Sequence, residues 1–317
     1  MNASKSGKFS VLVIVICLLA AGGLLFQSAQ QLRASTATET TARPEPGQLH
    51  RAAEAGDVES IQRELNAGAN VNEFVSEGSK RGMTPLMFAA RNARAAAVRT
   101  LLDRGARVND STQSGMTALM WAAGWGDVPT VEAVLAGNPR VDARNDHGWT
   151  ALMFAAARGG PEVMETLVRA GANPREQSKD GQTALMRAAK VGDLGKIRLL
   201  LELGAEADIN KPDDEGRTAL SLASEAGGAS AETLATLIGA GAQVNHPDRL
   251  GVTPLMLAVV GGDVEKVRVL LEAGASIEAS DAQQRSVKDW ARVRDDAVGR
   301  EIQALVGVEP APAGGGN

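Results

Sequence analysis

The chain has 317 residues, of which 3% are aromatic and none is tyrosine, so its core must be built from Leu, Ala, Val and Met. The formal net charge of -5 gives no overall signal for nucleic acid or for an acidic membrane surface. The single cysteine, Cys17, lies in an N-terminal apolar stretch, which excludes disulfides and thiolate metal sites from the rest of the chain.

Residues 1–26 have the layout of a signal peptide or an N-terminal membrane anchor. Lys5 and Lys8 precede an uncharged apolar run from Val11 to Phe26. Small residues at 21–23 favour cleavage, whereas the length of the run reaches the lower limit for a membrane-spanning helix, and both outcomes stay open. By the positive-inside rule the N-terminus lies in the cytoplasm, so either outcome delivers the remaining residues across the membrane.

Two further segments are predicted to lack regular structure. Residues 27–46 are rich in Ala, Thr, Ser, Gln and Pro without apolar periodicity, which is typical of a flexible linker. Residues 307–317 contain Pro310, Pro312 and three consecutive glycines and are predicted to form a disordered tail. A folded domain is therefore expected at 47–306.

That central part repeats itself about every 33 residues. The spacings between successive threonines of the repeated block are 33, 33, 33, 35 and 35. A fixed period of this length indicates a stacked-repeat solenoid, in which no unit buries its hydrophobic face alone. The repeated threonines are Thr84, Thr117, Thr150, Thr183, Thr218 and Thr253.

Within each unit the residues predict a pair of helices. Each threonine is suited to cap the first helix, because its hydroxyl accepts from free backbone N–H groups. Pro85 and Pro254 fall at the first helical position, where a missing N–H costs nothing. Gly-Asp pairs at 126–127, 192–193 and 262–263 then separate the two helices. The second helix carries apolar residues at helical spacing and ends at a residue expected to be left-handed, namely Gly105, Asn138, Gly171, Gly204, Gly241 or Gly274.

This order of features, Gly-x-Thr-Pro-Leu, Ala-Ala, Gly-Asp, Leu-Leu, Gly-Ala and Val-Asn, resembles the ankyrin repeat over residues 48–306. The chain is similar in particular to exported bacterial ankyrin repeat proteins, periplasmic or membrane-anchored. The resemblance implies an all-α solenoid of paired antiparallel helices with short turns. About seven to eight repeats are expected, including atypical end units at Gln48–Ala53 and Ser286–Leu305.

The chain departs from the family pattern in two ways. Met replaces the family's His at 87, 120, 153, 186 and 256, while His50 keeps it. We interpret this Met row as gap-filling core, because no His or Cys lies beside it to complete a soft-metal site. The second departure is a set of insertions, which in repeat proteins map to loops: Phe74–Arg81, Glu206–Asp208 and Gly228–Ala231.

Catalytic residues are not predicted. His50, His147 and His246 fall in different repeats at different positions, and no nucleophile with an orienting partner accompanies any of them. The sequence has no phosphate-binding glycine loop, no Cys-x-x-Cys and no metal-binding His pair. We therefore expect no enzyme activity, no cofactor and no metal.

Aromatic residues point to a binding surface. Trp121, Trp125 and Trp149 lie within 29 residues, and the resemblance places Trp125 and Trp149 at variable positions on the concave, partner-binding side. Phe88, Trp121 and Phe154 share one repeat position and are expected to form a partly buried stripe, with Trp121 mainly in the core. Exposed Trp bordered by Arg is typical of a protein-binding hot spot. The candidate partner-binding residues are Arg91, Asn92, Trp125, His147, Trp149, Arg158, Arg187 and Lys190.

Together these features predict a monomeric, non-catalytic protein–protein interaction scaffold in the bacterial cell envelope, in the periplasm or on the outer face of the inner membrane. The predicted export disfavours nucleic acid as a partner. Two alternatives stay open: a secreted effector that binds host proteins, and a metal- or ligand-binding module that uses the Met row.

Overall fold

The computed structural model describes residues 47–225 and 227–308, which form sixteen α-helices in eight pairs. The first helices of the pairs are α1 Gln48–Ala55, α3 Pro85–Arg91, α5 Ala118–Trp125, α7 Ala151–Arg158, α9 Ala184–Val191, α11 Ala219–Ser224, α13 Pro254–Gly261 and α15 Val287–Arg292. The second helices are α2 Val58–Asn66, α4 Ala95–Asp103, α6 Val128–Leu135, α8 Pro161–Arg169, α10 Leu194–Glu202, α12 Ala231–Gly239, α14 Val264–Glu272 and α16 Ala297–Leu305.

The helix pairs stack in sequence order. Each first helix packs against the first helices of the neighbouring pairs, and each second helix packs against the neighbouring second helices. The described residues contain no β-strand and only two isolated bridges, Ser111 to Thr117 and Ser280 to Ser286. The prediction of an all-α solenoid with seven to eight repeats is confirmed.

Side-chain caps start the helices where the sequence predicts them. The six repeated threonines each accept a hydrogen bond from the backbone N–H three residues later, for example Thr150 from Met153 at 3.4 Å. Asp127, Asp193 and Asp263 cap second helices in the same way. The predicted helix-ending residues all have positive φ, including Asn138 at 55°. These caps fix where each helix begins and ends.

The core between the two helix layers is aliphatic. The five Met residues of the Met row are at most 1% exposed, as are the alanine pairs of α3, α5, α7 and α9. Small alanine side chains let neighbouring first helices approach closely, and the flexible Met side chains fill the remaining gaps. The burial of the Met row agrees with its interpretation as core.

The turns between repeats follow one rule. In the six turns that precede α5, α7, α9, α11, α13 and α15, a side-chain oxygen five residues before the capping Thr or Ser accepts one or two backbone N–H groups of its own turn; the residues are Thr112, Asn145, Ser178, Asp213, Asp248 and Asp281. One backbone hydrogen bond then joins each turn to the next, as when the N–H of Lys179 donates to the carbonyl of His147 at 2.9 Å. Consecutive turns are thereby held in a regular row.

The end repeats close the stack with buried polar groups. In α1, His50 is 1% exposed, its Nε2 lies 3.0 Å from the Glu73 carbonyl, and its ring meets Phe88 edge-on at 5.5 Å. Phe88 is consequently fully buried, which corrects the expectation of partial exposure for this member of the aromatic stripe. At the other end, Trp290 Nε1 donates to Asp281 Oδ2 at 3.0 Å.

The insertions lie in connections between helices. Residues Ala205–Asp208 form a short 3-10 helix, and the longer connection at Gly228–Ser230 precedes α12. Phe74 stands in the first insertion with 63% of its surface exposed. None of the three insertions interrupts the stacking of the helices.

The folded domain extends two residues past the predicted boundary at 306, into the segment that was predicted to be a disordered tail. Val308 is buried, and its N–H donates to the Gln303 carbonyl at 2.8 Å. The predicted signal or anchor at 1–26, the predicted linker at 27–46 and the rest of the predicted tail lie outside the described residues. Within 47–225 and 227–308, no helix has the length and apolar character needed to cross a bilayer.

Candidate functional site

Four aromatic side chains from α5, α7 and the turn that precedes α7 form one continuous group, which we call the aromatic cluster: Trp121, Trp125, Trp149 and Phe154. Trp121 and Trp125 lie on α5 with ring centroids 4.9 Å apart, since residues four apart share a helix face. Phe154 on α7 lies 5.9 Å from Trp125 and 5.0 Å from Trp149. The cluster therefore crosses from one repeat to the next.

The members of the aromatic cluster differ in exposure. Phe154 is buried, which corrects the expectation of partial exposure for a second member of the aromatic stripe. Trp121 and Trp149 are half-buried against the core, and Trp125 is 37% exposed. Trp121 thus has mainly a core role, as expected, although its indole Nε1 has no hydrogen-bond partner among the described residues. Trp125 presents the accessible ring surface of the cluster.

Each tryptophan of the cluster carries an arginine over its ring. The guanidinium of Arg91 lies 5.3 Å from the Trp121 ring centroid, and that of Arg158 lies 5.0 Å from Trp125. Arg187 approaches Trp149 most closely, at 3.8 Å. Such cation–π contacts contribute about 0.5–1 kcal/mol each at exposed sites. They also hold the positive charges at fixed points along the surface.

A side-chain hydrogen-bonding pattern positions Trp149 although it lies outside the helices. The Oδ1 atom of the buried Asn145 accepts from the backbone N–H of His147 at 3.0 Å and from that of Trp149 at 2.9 Å. Thr150 follows directly and caps α7. The turn is therefore held by Asn145 before Trp149 and by the cap of α7 after it, so the backbone of Trp149 is rigid.

An open pocket of about 400 Å³ lies beside Trp149, lined by His147, Trp149, Lys179, Asp180 and Arg187. Its two walls are the consecutive turns that the Lys179–His147 backbone hydrogen bond joins. Arg187 reaches into the lining from α9. The pocket thus combines an aromatic face with two permanent cations, one carboxylate and one imidazole.

Arg187 is the least exposed charge of this pocket, with 17% of its side chain accessible. Burial lowers the pKa of Arg187, as does the nearby charge of Arg217, while Asp180 and Asp213 oppose this shift. The guanidinium nevertheless stays protonated, because arginine does not lose its proton in proteins. A permanent positive charge is therefore held in a partly desolvated position.

The predicted binding residues fall into three groups. Trp125 and Arg158 meet at the aromatic cluster, and Arg91 covers Trp121. His147, Trp149 and Arg187 meet in the pocket. In the third group, Asn92 uses its side-chain Nδ2 to cap α3 by donating to the Phe88 carbonyl at 2.8 Å, and Lys190 is exposed on α9. No hydrogen bond, ion pair or ring contact of the described residues joins this third group to the other two.

Two residues of the pocket are absent from the sequence prediction, Lys179 and Asp180. The repeat register could have predicted both residues. They lie 33 residues after Asp146 and His147, so they occupy the same turn positions in the following repeat. Because consecutive turns lie side by side, a residue at a turn position is flanked by its equivalent one period later.

The fold and the site define the chain as a stacked-helix repeat protein with an exposed aromatic and cationic surface. The family model for ankyrin repeats matches three stretches of the chain, residues 49–145, 130–213 and 203–281. The chain belongs to the ankyrin repeat family. Among curated proteins, none matches it.

Membership in this family has a functional meaning. Ankyrin repeats generally mediate protein–protein interaction, and the family is typically a non-enzymatic binding scaffold. In the part of the chain that the structure describes, no group of three or more His, Cys, Asp or Glu side chains could hold a metal ion.

Proposed function

We propose that the chain is a non-catalytic scaffold that binds a partner protein on the surface formed by the aromatic cluster and its three arginines. The observation that carries this proposal is Trp125, which is 37% exposed while packed between Trp121, Phe154 and Arg158. Trp and Arg dominate the binding energy of protein interfaces, and they do so from well-packed positions.

Rigidity adds to this argument. The surface is built from α3, α5, α7, α9 and the turns between them, and each of these helices begins at a capping threonine. A tryptophan held by its neighbours loses little conformational entropy on binding, which leaves more of the contact energy for affinity. In ankyrin proteins the first helices and the turns face the concave side, so this surface lies where such proteins receive their partners.

The test is capture of partners by crosslinking and pull-down from a cell-envelope fraction, with the wild-type chain and two variants. Trp125→Ala is expected to weaken capture at least about tenfold, because hot-spot truncation typically costs 2 kcal/mol or more. Val260→Ala, which shortens a 51% exposed side chain on α13, is the matched control and is expected to capture normally. Equal capture by all three proteins would contradict the proposal.

We also propose that the scaffold acts in the bacterial cell envelope, either released into the periplasm or tethered to the inner membrane. The support is the sequence of residues 1–26, in which two lysines precede an uncharged apolar run. Cell fractionation separates this location from the alternative of a secreted effector. Recovery of the protein outside the producing cell would overturn the envelope location.

A further inference from the structure

The pocket beside Trp149 contains a cation whose hydrogen-bonding capacity is largely unused. Arg187 lies 3.6 Å from Asp180, which exceeds the 2.7–2.9 Å usual for a charge-assisted hydrogen bond. Its guanidinium donates no hydrogen bond to any described residue, and its Nε is buried without a partner. By contrast, Arg217 in the next repeat donates to Asp213 at 2.9 Å and pairs with Glu215 at 2.9 Å.

The position of Arg187 is nonetheless fixed. Its guanidinium lies 3.8 Å from the ring centroid of Trp149, and Trp149 is itself held by Asn145. Arginine has five N–H donors in a planar fork, and a carboxylate can accept two of them at once. Because Nε is buried, an anionic group that arrives from outside would bind the two terminal nitrogens of this preorganised guanidinium.

The charge of the pocket selects among anionic groups. Lys179 and Arg187 supply two positive charges and Asp180 supplies one negative charge, which leaves one positive charge beside the exposed imidazole of His147. A singly charged carboxylate balances this excess. A doubly charged phosphate would add repulsion with Asp180, since like charges at short range disfavour each other.

We propose that this pocket receives the carboxylate of an Asp or Glu side chain of the partner protein. This inference rests on the proposed binding function and specifies the chemistry of the partner. The aromatic cluster continues from the pocket, since Phe154 lies 5.0 Å from Trp149 and 5.9 Å from Trp125. An apolar side chain near the acidic residue therefore packs on Trp125 while the carboxylate contacts Arg187.

The experiment uses a display library of random twelve-residue peptides, selected on the full chain, and then measures each selected peptide by fluorescence anisotropy. We expect the selected peptides to share an Asp or Glu next to an apolar residue. Replacing that acid by Asn or Gln is expected to lower affinity at least about tenfold, because a hydrogen bond between charged groups is lost. Substituting phosphoserine for the acid is expected to weaken binding as well.

Variants then connect the acid to the pocket. Arg187→Gln is expected to bind the acidic peptide and its amide analogue equally, because the group that distinguishes them is gone. Lys179→Gln is expected to weaken the acidic peptide, whereas Arg249→Gln, an exposed residue at the equivalent turn position two repeats later, is expected to leave it unchanged. Circular dichroism melting of each variant verifies that it is folded.

The outcomes separate the two proposals. If the peptides bind and Trp125→Ala weakens them, but neither the acid nor Arg187 matters, the inference is overturned and the binding function stands. Peptides without acidic residues, or tighter binding of the phosphoserine form, overturn the inference too. If no peptide is enriched, the carboxylate pocket is overturned, and the pull-down with Trp125→Ala then decides the binding function independently.

Discussion

At the level of single residues, the aromatic side chains of the first helices divide into those that pack in or against the core and one, Trp125, that is exposed. Phe88 and Trp125 both lie on first helices, yet Phe88 is 0% exposed and Trp125 is 37% exposed. Phe88 is covered by the His50 ring and by the Lys80 ammonium group, which lies 4.9 Å from its ring centroid. Trp125 contacts Trp121, Phe154 and Arg158 and still keeps 37% of its surface exposed.

This difference predicts the stability of two variants. Trp125→Ala is expected to lower the free energy of unfolding by about 1–2 kcal/mol, because it loses aromatic pairs but leaves no enclosed cavity. Phe88→Ala is expected to lower it by about 3–5 kcal/mol, since a cavity remains in the core. Urea denaturation followed by far-UV circular dichroism measures both. A loss at Trp125 as large as that at Phe88 would assign Trp125 to the core.

A second residue-scale feature makes the first repeat sensitive to acid. Burial lowers the pKa of His50 below its ordinary value of 6.5, against the raising effects of the Glu73 and Met83 backbone groups. The Glu73 carbonyl can only accept, so Nε2 carries the proton of the neutral ring. The Nδ1 atom is buried without a hydrogen-bond partner, so a second proton would place an unsatisfied charge in the core.

Because the folded-state pKa of His50 lies below the unfolded value, the unfolded chain binds more protons between the two. The free energy of unfolding is therefore expected to fall as pH decreases through 6.5 and to level off below the folded-state pKa. His50→Gln keeps a side-chain N–H donor and removes the titration. Chemical denaturation between pH 7.5 and pH 4.5 should show a shallower decline for this variant than for wild type. Parallel declines would assign the acid sensitivity to other groups.

At the level of elements, the turns depend on one side-chain oxygen each. Asn145 holds the turn that carries His147 and Trp149, whereas Asp213, Asp248 and Asp281 perform the same role in later repeats. The chemistry required is a short side chain with an oxygen that accepts two backbone N–H groups. Both Asn and Asp meet this requirement.

The repeats themselves thus supply a control for a substitution in the turn. Asn145→Ala is expected to lower the free energy of unfolding by about 1–2 kcal/mol, because two partly buried backbone N–H groups lose their acceptor. It should also weaken binding by releasing Trp149. Asn145→Asp keeps Oδ1 in place but replaces the Nδ2 group that donates to Met116 Sδ by a buried carboxylate oxygen, so both quantities are expected to lie between those of wild type and Asn145→Ala. Thermal melting and the anisotropy assay test this, and an Asp variant as damaged as the Ala variant would contradict it.

At the level of the whole molecule, the main helix–helix contacts of the described residues lie within a repeat or between neighbouring repeats, so stability is approximately a sum of repeat and interface contributions. One complete period can therefore be removed without a change of register. Deleting residues 219–253 joins Thr218 to Pro254, and deleting residues 151–183 joins Thr150 to Ala184. In both cases a capping threonine precedes the first residue of a helix.

These two deletions predict opposite effects on binding. Both proteins are expected to fold, because the repeats on either side of the deletion can pack against each other. The free energy of unfolding is expected to be lower, because each protein loses one repeat and one interface between repeats. Removal of 219–253 leaves the aromatic cluster and the pocket in place and should preserve partner capture. Removal of 151–183 eliminates Phe154, Arg158, Lys179 and Asp180 and should abolish it. Capture by the second protein at wild-type strength would exclude the proposed surface.

Most of the fold was predictable because its determinants are local and repeated. A threonine cap, a Gly-Asp break and a left-handed residue each act within a few residues, and their recurrence fixed the register of six repeats. The two end units depart from the consensus yet were located by the same register. The complete burial of Phe88 was missed, because it depends on how α1 covers the stack.

The candidate site was predictable only in part. Its tryptophans stood out as rare residues, two of them at variable surface positions of the repeat, but the contact between Arg187 and Trp149 joins residues 38 positions apart. Repeat register places such residues near each other without giving the direction of their side chains. Asn92 illustrates the limit, because its side chain caps α3 although its register position matches that of Trp125.

The hydrogen bonds between turns use backbone atoms alone, and this has a consequence for how such a protein can change. The carbonyl that accepts belongs in successive repeats to Ser114, His147, Asp180, Glu215 and Leu250, whose side chains have little in common. The row of turns therefore tolerates polar, aromatic, acidic and aliphatic side chains at this position. New binding specificities can therefore evolve, or be engineered, by substitution of the residue at this position, while the backbone hydrogen bonds between the turns are kept.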